Sequence, residues 1–180
     1  MAETIKEIIS EEQLDAKIRE MGAQISKDYA GKSVHLICIL KGSTFFMAEL
    51  AKRITVPVTI DFMSASSYGS GTVSSGQVKI TKDLDESIEG KNVIVVEDII
   101  DTGRTLSYLM EFLAGRKPES LKLCTLLDKP ERRVCEVDVE YTGFTIPDLF
   151  IVGYGLDYDQ KYRNLPYIGQ VMMDDDEVLK

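Results

Sequence analysis

The chain has 180 residues, the length of one ordinary globular domain, and 44% of them are hydrophobic and 28% charged. Its formal net charge of −9 argues against broad electrostatic binding to nucleic acid, although an acidic chain can still bind phosphates at a local site. No apolar run approaches the roughly 18 residues that a membrane span needs. We therefore expect neither nucleic acid nor a membrane as a partner.

The three cysteines and the single histidine give no sign of a disulfide framework, a zinc site or a catalytic triad. Cys38 and Cys124 lie inside apolar runs, which favours buried free thiols, and no pair of cysteines has CxxC spacing. His35 also lies in an apolar run, where a buried strand histidine is expected. The N-terminal segment lacks the basic start and apolar middle of a signal peptide, so we expect a cytoplasmic protein.

The first elements alternate between helix and strand. A capping box over residues 10–13 begins a helix whose apolar residues recur at helical spacing. An apolar strand is predicted over 34–40, followed at once by the tight turn Lys41-Gly42-Ser43 and a helix over 44–53. Strand, tight turn and helix in this succession are typical of a parallel α/β sheet.

A long polar loop interrupts the next pair of strands. The first strand is predicted over 56–63, and residues 77–81 alternate polar and apolar as an edge strand does. Residues 64–76 between them are rich in Ser and Gly. We interpret them as a mobile loop that joins two antiparallel strands, and such loops often serve as lids or binding loops.

The second half of the chain continues the alternation. The pattern predicts a helix over 105–114 and strands over 92–96, 121–127 and 149–152. An acidic run at 174–177 is most simply a solvated terminus. Because the sequence contains neither an internal repeat nor a long linker, we expect a single domain over residues 1–180.

The segment 93–106, with the sequence VIVVEDIIDTGRTL, carries the chemistry. Its strand delivers Glu97 and Asp98 to the carboxyl edge of the sheet, where open α/β sheets bind their ligands. The loop that follows suits a phosphate, because a glycine allows close backbone approach and a helix start offers free amides. Adjacent acids beside a phosphate site suggest a ligand that also brings hydroxyl groups and Mg²⁺. Asp101, in the loop itself, is then free for proton chemistry.

A plain strand-to-helix turn capped by Asp101 is the structural alternative for this segment. Other phosphate motifs fail: Gly71 to Gly76 has Walker-type spacing, but Gln77 stands where that motif requires lysine. The G-x-G-x-x-G fingerprint is absent as well.

The segment 93–106 resembles the phosphoribosyl pyrophosphate (PRPP) signature of the type I phosphoribosyltransferases. Further motifs resemble the 6-oxopurine branch of that family and follow in its order: Leu40-Lys41-Gly42-Ser43, Ser67-Tyr68, Asp128-Lys129, the run from Phe150 to Tyr154 with Asp157, and Arg163. Each piece is short, and the specificity lies in the set.

The resemblance implies a role for each matching residue. Glu97 and Asp98 would hold the ribose hydroxyls through metal or water, and the loop Asp101, Thr102, Gly103, Arg104 and Thr105 would bind the 5-phosphate. Pyrophosphate would be bound by Lys41 and Gly42, in a turn that in this family often contains a non-proline cis peptide, and by Arg163. Asp157 would position a second Mg²⁺. The purine would contact Lys129, Phe150 and Ile151, with Asp157 nearby, and Ser67 and Tyr68 would close over it.

The resemblance also implies the fold and the reaction. We expect a parallel α/β core at about 30–150, with helices on both faces, and a small hood from about 1–30 and 150–180. The implied reaction is Mg²⁺-dependent purine salvage: PRPP and hypoxanthine or guanine give IMP or GMP and pyrophosphate, with Asp101 accepting or sharing the purine proton. A homodimer or homotetramer is expected. The alternatives are another base, such as xanthine, adenine, orotate or uracil, and a PRPP-sensing regulator without activity.

Overall fold

The computed structural model describes residues 4–67 and 78–172. The strands in these ranges are β1 (Thr4–Ile9), β2 (Val34–Ile39), β3 (Val58–Ser67), β4 (Val78–Lys82), β5 (Asn92–Ile100), β6 (Ser120–Asp128), β7 (Tyr141–Thr145), β8 (Ile151–Val152) and β9 (Ile168–Met172). The helices are α1 (Glu11–Asp28), α2 (Thr44–Arg53), α3 (Arg104–Ala114) and a short 3-10 helix, Pro130–Arg132. None of the described helices is both long and apolar enough to cross a membrane.

Six strands form the main sheet in the order β4-β3-β2-β5-β6-β7. The four pairings from β3 to β7 are parallel, and β4 joins β3 in the antiparallel sense at one edge. The central strands contain long apolar runs, residues 36–39 in β2 and 93–96 in β5, because helices cover both of their faces. This arrangement confirms the predicted α/β class with its mainly parallel sheet.

Alternating side chains of β2 point into two separate apolar layers. Leu36 packs in the layer that α1 and α2 cover, whereas Ile37 packs in the layer that α3 covers. Helix α1 begins at the predicted capping box, in which the Ser10 hydroxyl accepts a hydrogen bond from Gln13 N and the Gln13 side chain accepts one from Ser10 N. The core therefore lies on both sides of the sheet, and its helices begin where the sequence predicts.

A second, three-stranded sheet has the order β1-β9-β8. Strand β1 pairs antiparallel with β9, for example Ile5 with Val171, so the two ends of the described chain meet there. Among the described residues of the segment predicted for the hood at about 1–30, only β1 joins this small sheet. Helix α1 instead contributes Leu14 and Ile18 to the layer it shares with α2. The single-domain organisation stays a prediction.

The strand boundaries differ from the sequence expectation at two places. Strand β3 runs on to Ser67, so residues 64–67, predicted as loop, are strand paired with β4. Strand β5 runs on to Ile100 and pairs with β6 up to that residue. Glu97 and Asp98 therefore lie within the strand rather than after it. In both cases pairing with a neighbouring strand extends the strand through polar residues, the serines of 64–67 in β3 and Glu97 and Asp98 in β5.

Candidate active site

Three neighbouring parallel strands bring the predicted residues to one edge of the main sheet. Lys41 follows β2, Glu97 and Asp98 lie near the end of β5, and Lys129 follows β6. Because these strands are adjacent in the order β2-β5-β6, residues far apart in sequence meet where their carboxyl ends lie together.

The turn after β2 is shaped for close approach of its backbone. The peptide bond between Leu40 and Lys41 is cis, as the resemblance implies for this turn. Thr44 closes the turn by donating from both its amide (3.2 Å) and its hydroxyl (2.7 Å) to the Lys41 carbonyl. A Cβ on Gly42 would lie 1.7 Å from Asp98 Oδ2, so only glycine fits here without displacing that carboxylate.

The acidic pair on β5 is only partly exposed and is held by hydrogen bonds. Glu97 Oε1 accepts from Ser43 Oγ at 2.8 Å and from Asp98 N at 3.0 Å. Burial, together with the neighbouring charge of Asp98, raises the pKa of Glu97 well above its ordinary value. Burial also raises the pKa of Asp98, while the charge of Arg163 acts in the opposite direction. Two such acids side by side suit a bound cation or a set of hydroxyl donors.

The segment from Gly153 to Arg163 packs against the turn after β2. Gly155 has a φ of +101°, and a Cβ there would lie 1.9 Å from the Gly42 carbonyl oxygen. The Arg163 guanidinium donates to Gly155 O at 2.7 Å and lies 3.1 Å from Asp157 Oδ1. Gln160 Oε1 accepts from both Lys41 Nζ and Arg163 Nη2, each at 3.3 Å. Gln160 thus links two cationic side chains, of which Arg163 also acts electrostatically on Asp98.

The loop after β5 leads into α3 through a glycine. Gly103 is the N-cap residue with a φ of +82°, and a Cβ on it would lie 2.7 Å from the Cys135 carbonyl oxygen. Arg104 and Thr105 form the first turn of α3, and the Arg104 amide donates to Thr102 Oγ1 at 3.4 Å. That turn contains no acidic residue, and its N-cap residue, Gly103, has no side chain to cap its amides. The positive end of the helix dipole therefore remains available to an anion.

The segment after β6 holds this loop from the other side. Lys129 N donates to Ile100 O at 2.9 Å, and Val134 N donates to Thr102 O at 2.9 Å. Asp101 is held in addition by two arginines: Arg132 Nε lies 2.8 Å from its Oδ1, and Arg133 Nε donates to its carbonyl at 3.2 Å. The segment that carries Lys129 therefore also positions the loop from Asp101 to Gly103.

Lys129 and Phe150 lie close together and form a surface that we call the base platform. The side chain of Lys129 is only 8% exposed; its ammonium donates to Leu149 O and lies 3.5 Å from Asp148 Oδ1. Phe150, which follows Leu149 in the sequence, is 52% exposed. Its ring lies edge-on to that of Tyr158, with 5.4 Å between the ring centroids. Ile151 begins β8 and is buried. A buried cation beside an exposed aromatic face fits a flat, oxygen-bearing heterocycle.

Two further parts of the predicted site are the lid and the metal ligands. Ser67 is the exposed last residue of β3, and Tyr68, the other predicted lid residue, lies outside the described residues. Within the described ranges, no group of three or more His, Cys, Asp or Glu side chains is placed to hold a metal. Asp157 lies beside Arg163, and its role with a second Mg²⁺ stays a prediction.

Four residues that the structure connects to the site were not predicted from the sequence to have a role there: Ser43, Arg132, Asp148 and Gln160. Ser43 was quoted only as part of a motif, yet it is fully buried and bonds Glu97. Arg132 follows Lys129 closely in the sequence, which was an available signal. Gln160 bonds a residue 119 positions away, and local patterns cannot indicate such a contact.

The sequence and the structure are similar to those of known proteins. Residues 5–159 match the family profile described as "Phosphoribosyl transferase domain". The hypoxanthine-guanine phosphoribosyltransferase of Streptococcus thermophilus (strain CNRZ 1066) is 57% identical over 166 residues, which are 92% of each chain. The hypoxanthine phosphoribosyltransferase of Escherichia coli (strain K12) is 52% identical over 178 residues, 98% of this chain and all of that one.

A solved structure shows the same likeness. The crystal structure of a hypoxanthine-guanine phosphoribosyltransferase from Bacillus anthracis, with a HEPES molecule in its active site, superposes with a TM-score of 0.90 at 55% identity. The match covers 94% of this chain and 100% of that one.

Proposed function

This chain belongs to the phosphoribosyltransferase family, among the hypoxanthine and hypoxanthine-guanine phosphoribosyltransferases, and on that premise we propose how its site works. It is an enzyme of purine salvage that converts hypoxanthine or guanine and PRPP to IMP or GMP and pyrophosphate. The observation that carries the residue assignments is the meeting of an uncapped helix start, an acidic pair and the base platform at one edge of the sheet.

PRPP is bound along this edge, with its 5-phosphate at the start of α3. The amides of residues 102–105 and the hydroxyls of Thr102 and Thr105 surround that position, and the helix dipole favours the anion. Glu97 and Asp98 accept from the ribose hydroxyls. At the other end, the Lys41-Gly42 turn and Arg163 bind pyrophosphate, and the missing side chain at Gly42 lets the turn lie close to Asp98.

The residues fit Mg²⁺ as a partner of the substrate. Mg²⁺ usually takes one or two protein carboxylates and completes its shell with water and substrate phosphates. The raised pKa values of Glu97 and Asp98 mark a place where a cation would relieve the cost of two buried acids. Asp157 lies beside Arg163, where a second ion would accompany pyrophosphate. When bound, Mg²⁺ neutralises charge on the pyrophosphate leaving group.

The purine binds between Phe150 and the Lys129 ammonium. Phe150 stacks on the ring, Lys129 exchanges its contact with Leu149 O for one with the 6-oxo group, and the Ile151 backbone contacts the ring edge. A donor at this position favours an oxo group and disfavours adenine, which presents an amino donor there. This geometry supports a 6-oxopurine substrate.

Asp101 accepts or shares the proton that the purine ring loses as its nitrogen bonds to the anomeric carbon. The ribose becomes positively charged as the bond to pyrophosphate breaks, while Arg163 and Lys41 hold the departing anion. Closure of the Ser67-Tyr68 segment would exclude water, which otherwise hydrolyses PRPP. The cytoplasmic location and the homodimeric or homotetrameric state stay predictions.

An ultraviolet absorbance assay tests the proposal. Purified protein with PRPP and Mg²⁺ is offered hypoxanthine, guanine, xanthine and adenine separately. We expect turnover of hypoxanthine and guanine and none of adenine. Turnover of adenine would contradict the role of Lys129, and PRPP binding without turnover of any base would favour the regulator instead.

A further inference from the structure

Arg132 lies between the two halves of the candidate site. Its Nε is 2.8 Å from Asp101 Oδ1, and its Nη1 is 3.5 Å from Asp148 Oδ2. The other oxygen of Asp148 is 3.5 Å from Lys129 Nζ. One unbroken chain of charges thus runs from the residue assigned to the purine proton to the residue assigned to the purine oxygen.

The exposure of Arg132 and Asp101 indicates that their contact contributes little to the stability of the fold. Arg132 and Asp101 are 48% and 46% exposed, and an ion pair in such surroundings adds little to the stability of a fold. Asp101 Oδ1 is nevertheless covered and has no hydrogen bond of good geometry among the described residues. The charge of Arg132 is what compensates this oxygen, so its removal leaves the carboxylate without a fixed orientation.

We propose that Arg132 is a positioning residue, which orients the Asp101 carboxylate for the purine proton and couples it to Lys129 through Asp148. This inference rests on the proposed function, because it needs Asp101 to handle the proton. The 3-10 helix Pro130–Arg132 supplies the rigidity, since Lys129 N and Val134 N bind the loop on either side of it. Occupation of the base platform is in this way linked to the orientation of the proton acceptor.

The test compares Arg132→Ala and Arg132→Lys with the wild type. We expect Arg132→Ala to lower kcat for hypoxanthine about ten- to a hundredfold, the range expected when a catalytic group is misplaced by about an ångström. The Kd for PRPP, measured by calorimetry, stays within about twofold, because the phosphate loop keeps its backbone bonds. Arg132→Lys recovers part of kcat, because it keeps the charge but loses the planar fork.

Arg19→Ala is the matched control, since Arg19 Nε lies 2.8 Å from Asp15 Oδ2 at similar exposure and away from the site. Its kcat should equal that of the wild type. Wild-type kcat in Arg132→Ala, or a drop equally large in Arg19→Ala, would overturn the inference.

A double-mutant cycle separates positioning from general damage. If Arg132 acts through Asp101, then Arg132→Ala in an Asp101→Asn background lowers kcat by less than about twofold further. Multiplicative losses would show that Arg132 acts independently and would refute the proposal. The wild-type assay stands apart from this comparison: no hypoxanthine turnover by the wild type refutes the proposed function itself.

Discussion

The Cα of Gly42 faces the carboxylate of Asp98 so closely that an added Cβ would lie 1.7 Å from Oδ2. We predict that Gly42→Ala displaces that carboxylate and lowers PRPP affinity at least tenfold, measured by calorimetry with Mg²⁺ present. The reason is steric, because Asp98 is held by its own neighbours and cannot retreat freely: its Oδ1 accepts from Ile99 N at 2.6 Å.

Gly115→Ala is the control for this change. Gly115 has a helical φ of −62°, and a Cβ there would meet Phe112 O at 3.4 Å and Glu111 O at 3.9 Å, both ordinary or nearly ordinary contacts. PRPP affinity should stay at the wild-type value in this variant. Unchanged affinity in Gly42→Ala would mean that Asp98 does not contact the substrate.

Asp101 is the proposed acceptor of the purine proton. Asp101→Asn keeps the shape of the side chain but cannot accept a proton, so we expect kcat to fall by about 10²–10⁴, the usual contribution of general acid–base catalysis. PRPP binding should be retained, since the Asp101 carbonyl still accepts from Arg133. Full turnover in single-turnover kinetics would remove Asp101 from the proton transfer.

The site roles of single residues were predictable where the residues belong to a local sequence motif. Asp101, Gly103 and Lys129 stand directly after apolar strands, and both the residue chemistry and the resemblance pointed to them. Arg132 and Gln160 were missed because their importance comes from partners on other elements. Which of two neighbouring arginines reaches the Asp101 side chain is set by the turn of a 3-10 helix, which spacing alone does not specify.

The first turn of helix α3 can serve either the stability of the helix or the binding of an anion, and an acidic residue there would favour the first at the expense of the second. The turn has no acidic residue although acids usually stabilise a helix start. We predict that Thr105→Asp leaves the free energy of unfolding unchanged or raises it by about 0.3–1 kcal/mol. The same variant should lower PRPP affinity at least tenfold, because the added carboxylate repels the 5-phosphate.

Thr105→Asn separates charge from shape in that experiment. It replaces the hydroxyl with a neutral group of nearly the same size as aspartate, so it should lose much less PRPP affinity than Thr105→Asp. Chemical denaturation and calorimetry measure the two quantities on the same samples. Equal affinities in the two variants would place the phosphate away from the helix start.

Across the whole molecule, the sequence predicted the main sheet well and the small sheet poorly. A long apolar run marks each central strand, because such a strand is buried on both faces. By contrast, β1 and β9 pair from opposite ends of the chain, Thr4 with Met172, and β1 is largely exposed. A strand whose stability comes from such a distant partner leaves only a weak local pattern. Strand β7 was missed for another reason: it is a short edge strand in which only Tyr141 is buried.

His35 lies at the start of β2, the end opposite to the turn that carries Lys41, so stability and chemistry can be tested separately on one strand. It is 4% exposed; its Nδ1 is 2.7 Å from Thr59 Oγ1, and its Nε2 has no hydrogen bond in the described residues. Burial lowers the pKa of His35 below its ordinary value of 6.5, helped by the charge of Lys91 and opposed by Asp61 and Glu86.

Between the folded pKa of His35 and 6.5, the unfolded chain binds a proton that the folded chain does not. The free energy of unfolding therefore falls as the pH is lowered through this window, by at most about 1.4 kcal/mol per pH unit for one proton. We predict that urea denaturation between pH 7.5 and 5 gives a steeper decline for the wild type than for His35→Asn, whose side chain does not titrate. At pH 7.5 the variant should keep the wild-type kcat, because the site lies at the other end of β2. Since acidic groups contribute equally to both proteins, parallel stability curves would show that His35 takes up its proton as readily in the folded state as in the unfolded one.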